Sequence, residues 1–123
     1  MSLRYPAKGD FLSDATAREM FSAIEAGNIA RVRALVSAEP SLIGAIVDNA
    51  DPLGWAAFYA HPEIVEYFIQ AGSDLNWRTS RGTSPLGFAM KGAEGAFKSH
   101  GVDRPTHLYE RCVAHLKAAG ASE

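Results

Sequence analysis

Apolar residues fall at helical spacing in a succession of short blocks divided by turn-forming residues. Ile64, Val65, Phe68 and Ile69 make one buried stripe, Val32, Leu35 and Val36 a second, and Leu108, Cys112 and Leu116 a third. A shorter block precedes the first of these. Leu53, Ala56 and Ala57 lie on one face of a brief helix, and the alanines allow close helix approach. Asp51 and Ser84 stand immediately before Pro52 and Pro85. A side-chain acceptor followed by proline is an N-cap with the ring at the first helical position, where the missing N–H costs nothing. Gly27 and Gly72 follow helical blocks and predict their ends, Asn28 caps the next helix, and His61-Pro62 opens the matching one. Ser73 to Thr83, with Asn76 and Gly82, has turn composition and reads as a protruding hairpin-like finger. The order predicted is helix, tight turn, helix, finger.

That order repeats. Asp51-Pro52-Leu53-Gly54-Trp55-Ala56 returns as Ser84-Pro85-Leu86-Gly87-Phe88-Ala89, a displacement of 33 at every position. Asn28 to Val36 lies over His61 to Ile69 in the same register, with Val32/Val65, Leu35/Phe68 and Val36/Ile69 as apolar pairs. One further step back from Ala56 reaches Ala23, within Met20-Phe21-Ser22-Ala23-Ile24. In the third unit the glycine matching Gly72 is Gly120, displaced by 48, so about fifteen extra residues interrupt that unit between Ala89 and Tyr109. The expected organisation is an N-terminal extension over 1–13 and one domain over 14–123. Its units are about 14–46, 47–79 and 80–120, with an insertion over 91–106. Asp14 is the expected cap of the first helix, and Tyr5-Pro6 and Phe11 are placed to cover its outer face. Met1-Ser2-Leu3 are left out of the fold reasoning. Thr106 to Ala119 is expected as a longer final helix, its outer side solvated by Arg111, His115 and Lys117.

Composition narrows the function classes. With 123 residues, one compact domain is expected, and 21 alanines against 16 valines, isoleucines and threonines favour helix. The 12 basic and 14 acidic residues give no global field toward nucleic acid or an anionic membrane. No apolar run reaches the roughly 20 residues of a membrane span. One cysteine allows no internal disulfide, and cytoplasmic residence is the default.

Candidate chemistry is sparse. Cys112 and His115 are three apart, with His107 eight residues before His115, but zinc wants four ligands and no second pair accompanies them. Cys112 lies on the apolar stripe and is read as a core residue. Gly92, Gly95 and Gly101 form no phosphate loop, since no Gly-Lys-Ser/Thr follows. No cofactor or metal is expected. Phe97, alone among those glycines, either pins the insertion or meets a partner, and pinning is the favoured reading. Trp77, Arg78 and Arg81 decorate the finger and are residue types enriched among binding hot spots, although Trp77 could equally pack on the neighbouring finger. Trp55 and Phe88 are read as core, whereas Phe58-Tyr59 exceed what the short helix needs for its own stripe.

Together, Gly82-Thr83-Ser84-Pro85-Leu86, Pro52-Leu53 with Ala56-Ala57, Glu63-Ile64-Val65 and Gly72-Ser73-Asp74-Leu75-Asn76 resemble the ankyrin repeat. The likeness runs over about residues 15–120. Gly54 and Gly87 replace the family's His and Asp51 and Ser84 its Thr, which puts the Thr–His bonds of such repeats in doubt here. The resemblance implies an all-α, ankyrin-like solenoid of stacked helix-turn-helix units with protruding hairpin-like fingers. It implies a non-catalytic module that binds a protein through finger tips and the concave face of the first helices. Carried over residue by residue, the contact set is Val47, Asp48 and Ala50 on one finger and Arg78, Ser80, Arg81 and Thr83 on the next. Phe58, Tyr59 and Lys91 complete it from the helices. The partner is an unidentified protein, with a homo-oligomeric structural subunit the alternative and a small-ligand binder or enzyme using the insertion a third reading. The chain itself is expected to be a monomer or a weak homo-oligomer.

Overall fold

The computed structural model describes residues 3–4 and 14–123. The readings placed on Tyr5-Pro6 and Phe11, and on the Asp14 side chain, lie outside the described residues. Three helix pairs follow one another: α1 (Asp14–Ala26) with α2 (Ile29–Ala38), α3 (Pro52–Phe58) with α4 (Pro62–Ala71), and α5 (Pro85–Ala93) with α6 (Thr106–Ala118). The first helices stack in the order α1, α3, α5, and α2, α4 and α6 line up behind them as a second layer. The fold is an all-α, ankyrin-like stack.

The predicted caps form. Asp51 accepts from the Gly54 N–H at 2.8 Å, and Ser84 accepts from that of Gly87 at 3.1 Å, each just ahead of its proline. Asn28 accepts from the Arg31 N–H at 3.1 Å. Gly27 and Gly72 end α1 and α4 at φ +73° and +95°, a region closed to most side chains. Leu53 and Leu86 are buried where α3 and α5 face the second layer, in one core with Ile24, Val65, Phe68 and Leu116. Cys112 belongs to the same core.

The fingers differ from each other. The first turns tightly: Val47 and Ala50 exchange N–H···O bonds of 3.0 and 3.2 Å across Asp48 and Asn49, both at positive φ (48° and 67°). Two central residues at positive φ match the twist of a hairpin. The second finger closes through the Gly82 N–H to the Thr79 carbonyl and the Thr79 N–H to that of Thr83. Asn49 ties the two together, donating to Ser80 Oγ at 2.8 Å and accepting from the Ser80 N–H at 3.1 Å. One strand pair was not expected. β1 (Leu3–Arg4) runs antiparallel to β2 (Ile46–Val47), so Leu3, set aside in the sequence reading, takes part in the fold.

The units are joined at one recurring place. The last carbonyls of a helix point past its end and need donors from elsewhere. His61 Nε2–H donates to the Glu25 carbonyl at 3.0 Å, and Tyr109 Oη–H donates to the Phe58 carbonyl at 2.7 Å. Glu25 and Phe58 are one period of 33 apart, and His61 and Tyr109 are 48 apart, the period lengthened by the insertion. The two bonds are therefore equivalents in successive units. The insertion adds Arg104, whose Nε donates to the Tyr59 carbonyl at 3.0 Å. A guanidinium there also suits the negative end of the α3 dipole.

Close approach makes these bonds possible. A Cβ on Gly92 would meet the Tyr109 ring at 2.1 Å, and one on Gly27 would meet the His61 ring at 2.8 Å. The insertion is held down on its other side by Phe97, whose ring centre lies 4.4 Å from that of Phe58. Pinning is the arrangement Phe97 adopts.

Leu53→Ala and Leu86→Ala should each cost about 2–5 kcal/mol of stability, read by chemical denaturation. Tyr109→Phe leaves the Phe58 carbonyl without its donor and should cost about 1–3 kcal/mol. Gly92→Ala should cost a similar amount by crowding, about 1–3 kcal/mol. Because the added methyl displaces the ring that makes the bond, the double variant should lose less than the sum of the two. Additive losses would show that the ring does not move.

Candidate functional site

Short α3 cannot bury all its aromatic residues against the second layer, and the remainder gathers between the first helices and the fingers. Trp55 sits at the centre. Its indole Nε1–H donates to the Val47 carbonyl at 2.8 Å, which fastens the helix to the first finger. The ring meets Phe21 and Phe58 edge-on at 5.9 and 5.5 Å and stacks on Tyr59 at 5.8 Å. Phe58 extends the series to Phe88 at 6.0 Å and to Phe97. Offset and edge-to-face contacts of this kind add to the stabilisation from burial alone.

The sequence reading of Trp55 and Phe88 as core needs correction. Both are half-buried: they pack on the core from outside and form the floor of a groove. Gly54 explains the position of Phe88. A Cβ there would lie 3.4 Å from the Phe88 ring and 3.1 Å from Asp51 Oδ1, so glycine, in the place of the family's His, lets the next unit's aromatic close over the helix start. Phe58 and Tyr59, read as surplus to α3, serve this aromatic packing.

The groove holds two pockets on either side of Trp55 and Asp48. The larger, about 290 Å³, lies between the second finger, α5 and the insertion. The other, about 270 Å³, lies between α1 and the first finger. Of the ten residues carried over from the resemblance, Asp48, Ala50, Phe58, Arg81, Thr83 and Lys91 line the larger pocket. Val47, Asp48 and Tyr59 line the smaller. Ser80 lies at the finger clasp with Asn49. Arg78 is turned elsewhere, donating to the Gly82 carbonyl at 3.1 Å and to the Glu123 main-chain oxygen. Sequence reasoning missed Asn49 and Thr79 at the pocket, named His100 only for the small-ligand or enzyme reading, and placed Phe97 in the insertion without a neighbour. The 33-residue displacement of Trp55 onto Phe88 was the available signal for a shared aromatic floor.

Ionisable groups near the groove are governed by burial. Burial pushes the Asp51 carboxyl up to about 7, against the pull of the Gly54 N–H. Burial also raises the phenols of Tyr59 and Tyr109, the latter to about 12, which keeps the Tyr109 hydroxyl a donor to Phe58. The Cys112 thiol is likewise pushed up to about 12, so it is protonated and unreactive in the core. His115 Nδ1 stands 3.3 Å from Glu66 Oε2, away from the groove. Among the described residues no group of three or more His, Cys, Asp or Glu side chains is placed to hold a metal ion. Among the same residues no helix is long and apolar enough to cross a membrane.

The family model for the ankyrin repeat matches residues 48–80, the stretch from the first finger turn through α3 and α4 to the second finger. The match covers one unit, and the helix pairs α1–α2 and α5–α6 stack on either side of it. A search of curated proteins finds no match.

Asp51 should leave a signature in the pH dependence of stability. Its folded pKa lies above the 3.8 of a free aspartate, so the folded chain holds a proton there that the unfolded chain releases. The contribution is full below about pH 4 and is lost as pH rises through about 7. Asp51→Asn keeps a capping oxygen and removes the ionisation. Its stability relative to the parent should rise between pH 4 and 7 and then level off, as urea titrations at several pH values would read. A difference that does not vary with pH would contradict this.

Proposed function

We propose that the chain is a non-catalytic protein-binding module whose partner lies along the groove between the fingers and the first helices. Ankyrin repeats generally mediate protein–protein interaction. The observation that carries the reading for this chain is the half-buried aromatic floor of Trp55, Phe58 and Phe88 beside exposed Arg81 and Lys91. Apolar anchors next to charged groups are the composition of an interface core with its rim.

Rigidity supports the same reading. The Asn49–Ser80 clasp, the Trp55–Val47 bond and the Arg104 contacts hold fingers, helix and insertion in one arrangement before any partner arrives. Little ordering entropy is then spent on association. The contact set is Val47, Asp48, Ala50, Phe58, Tyr59, Arg81, Thr83 and Lys91, with Ser80 at the edge. Arg78 is left out because its guanidinium is held by main-chain oxygens. In this reading the chain works in the cytoplasm as a monomer or a weak homo-oligomer.

The variant Tyr59→Ala with Arg81→Ala tests the surface. Loss of the Trp55 stacking partner should cost about 0.5–1.5 kcal/mol on top of the burial that half-exposed Tyr59 gives up, leaving a folded protein. Affinity purification from the native host should recover a partner with the parent and lose it with the variant. The same protein recovered equally by both would overturn the assignment. Sedimentation of the parent as a dimer that the variant dissociates would favour the homo-oligomeric subunit instead.

A further inference from the structure

Resting on the binding reading above, we infer that the pocket between the second finger, α5 and the insertion is an anchor pocket. Its occupant is a segment of a partner protein in which a large apolar side chain stands next to a carboxylate.

Size and lining select the apolar part. At about 290 Å³ the pocket lies at the lower edge of the roughly 300–1,000 Å³ typical of small-molecule sites, room for a side chain rather than a whole ligand. Its floor is Phe58 and Phe88, with Phe97 as the wall that the insertion contributes. A regular unit of 33 residues has no Phe97 or His100, so the pocket depends on the extra residues of this chain. Aromatic walls on two sides favour an aromatic or branched aliphatic anchor.

Charge selects the rest. Arg81 and Lys91 are exposed cations on the pocket lining, His100 lies exposed beside them, and Asp48, on the opposite finger, is the one carboxylate among the described lining residues. This cationic rim departs from the chain as a whole, which carries a formal charge of −2. Lys91 Nζ is directed along the rim by Thr83 Oγ1 at 3.4 Å, and the Arg81 fork is free to meet a carboxylate with two parallel bonds. The smaller pocket has a different set of charges, with Glu25 and Asp48 as well as Arg18 among its lining residues. A bound segment is therefore oriented, its acidic part over the second finger and the insertion. So few basic groups make too short a track for a nucleic-acid backbone, which needs several phosphate contacts.

The test uses the full chain and immobilised octapeptides with a central Phe or Leu flanked by Glu. Matched peptides carry Lys flanks, or Glu flanks around a central Ala. The parent should prefer the Glu-flanked apolar peptides over the Lys-flanked ones by about tenfold. Raising salt from about 50 to about 500 mM should weaken that preference, because the charges are at the surface. Arg81→Glu with Lys91→Glu should reverse it, gaining the Lys-flanked peptides, and central Ala should abolish retention of the Glu-flanked ones. Retention of no peptide by the parent, equal retention of both flank types, unchanged preference in the charge-reversed variant, or full retention with central Ala would each overturn the inference. If the Tyr59→Ala, Arg81→Ala variant loses its partner while the peptides show no charge preference, the binding face stands and only the ligand chemistry falls.

Discussion

The stack depends on carbonyl groups at the ends of α1 and α3 that those helices cannot satisfy themselves. Glu25 lies in the last turn of α1 beside the Gly27 turn, and Phe58 ends α3 two residues before Ala60, which stands at positive φ. Backbone N–H groups cannot follow the chain around so sharp a turn, so donors come from the next unit: His61, Tyr109 and Arg104. The bonds to Phe58 and Tyr59 are partly buried, where an unpaired carbonyl is costly, so the neighbouring unit is needed there for satisfaction as well as for burial of apolar surface. A helix pair of this size could not hide its stripe alone in any case.

Different side chains do the same work at equivalent positions. An imidazole does so in the second unit and a phenol in the third, each requiring close approach to a backbone without a Cβ: Gly27 under His61 and Gly92 under Tyr109. Burial lowers the His61 pKa, against the pull of its bond to the Glu25 carbonyl, and raises that of Tyr109, whose hydroxyl stays protonated as a donor. The insertion is part of the same device. By delivering Arg104 to the end of α3 and Phe97 to Phe58, it becomes a wall of the groove instead of a loose connector. Stability of the stack and shape of the candidate site thus share the same contacts.

Much of the frame was legible in the chain because it rests on local rules. Asp51-Pro52 and Ser84-Pro85 mark helix starts through the geometry of a few successive residues, and Gly72 marks an end because few side chains enter its φ. Leu53 and Cys112 were placed by helical spacing and Leu86 by its displacement of 33 from Leu53. Trp55 and Phe88 were misjudged because spacing tells which face of a helix a residue occupies and not how much of that face is covered. Asn49 escaped notice because its partner Ser80 is 31 residues away, on a finger whose tilt no local rule specifies. Leu3–Arg4 pairing with Ile46–Val47 escaped for the same reason, since two residues of strand carry no pattern of their own.

By itself the amino-acid order determined the period, the helix ends, the buried stripes and the presence of extra residues in the last unit, all consequences of steric and hydrogen-bonding preferences within a few residues. Only the tertiary structure decided where those extra residues go, which aromatic rings form a floor, and that Arg78 turns from the groove while Arg81 lines it. Those outcomes depend on which unsatisfied groups and open surfaces the neighbouring units bring within reach, and that is a property of the assembled stack.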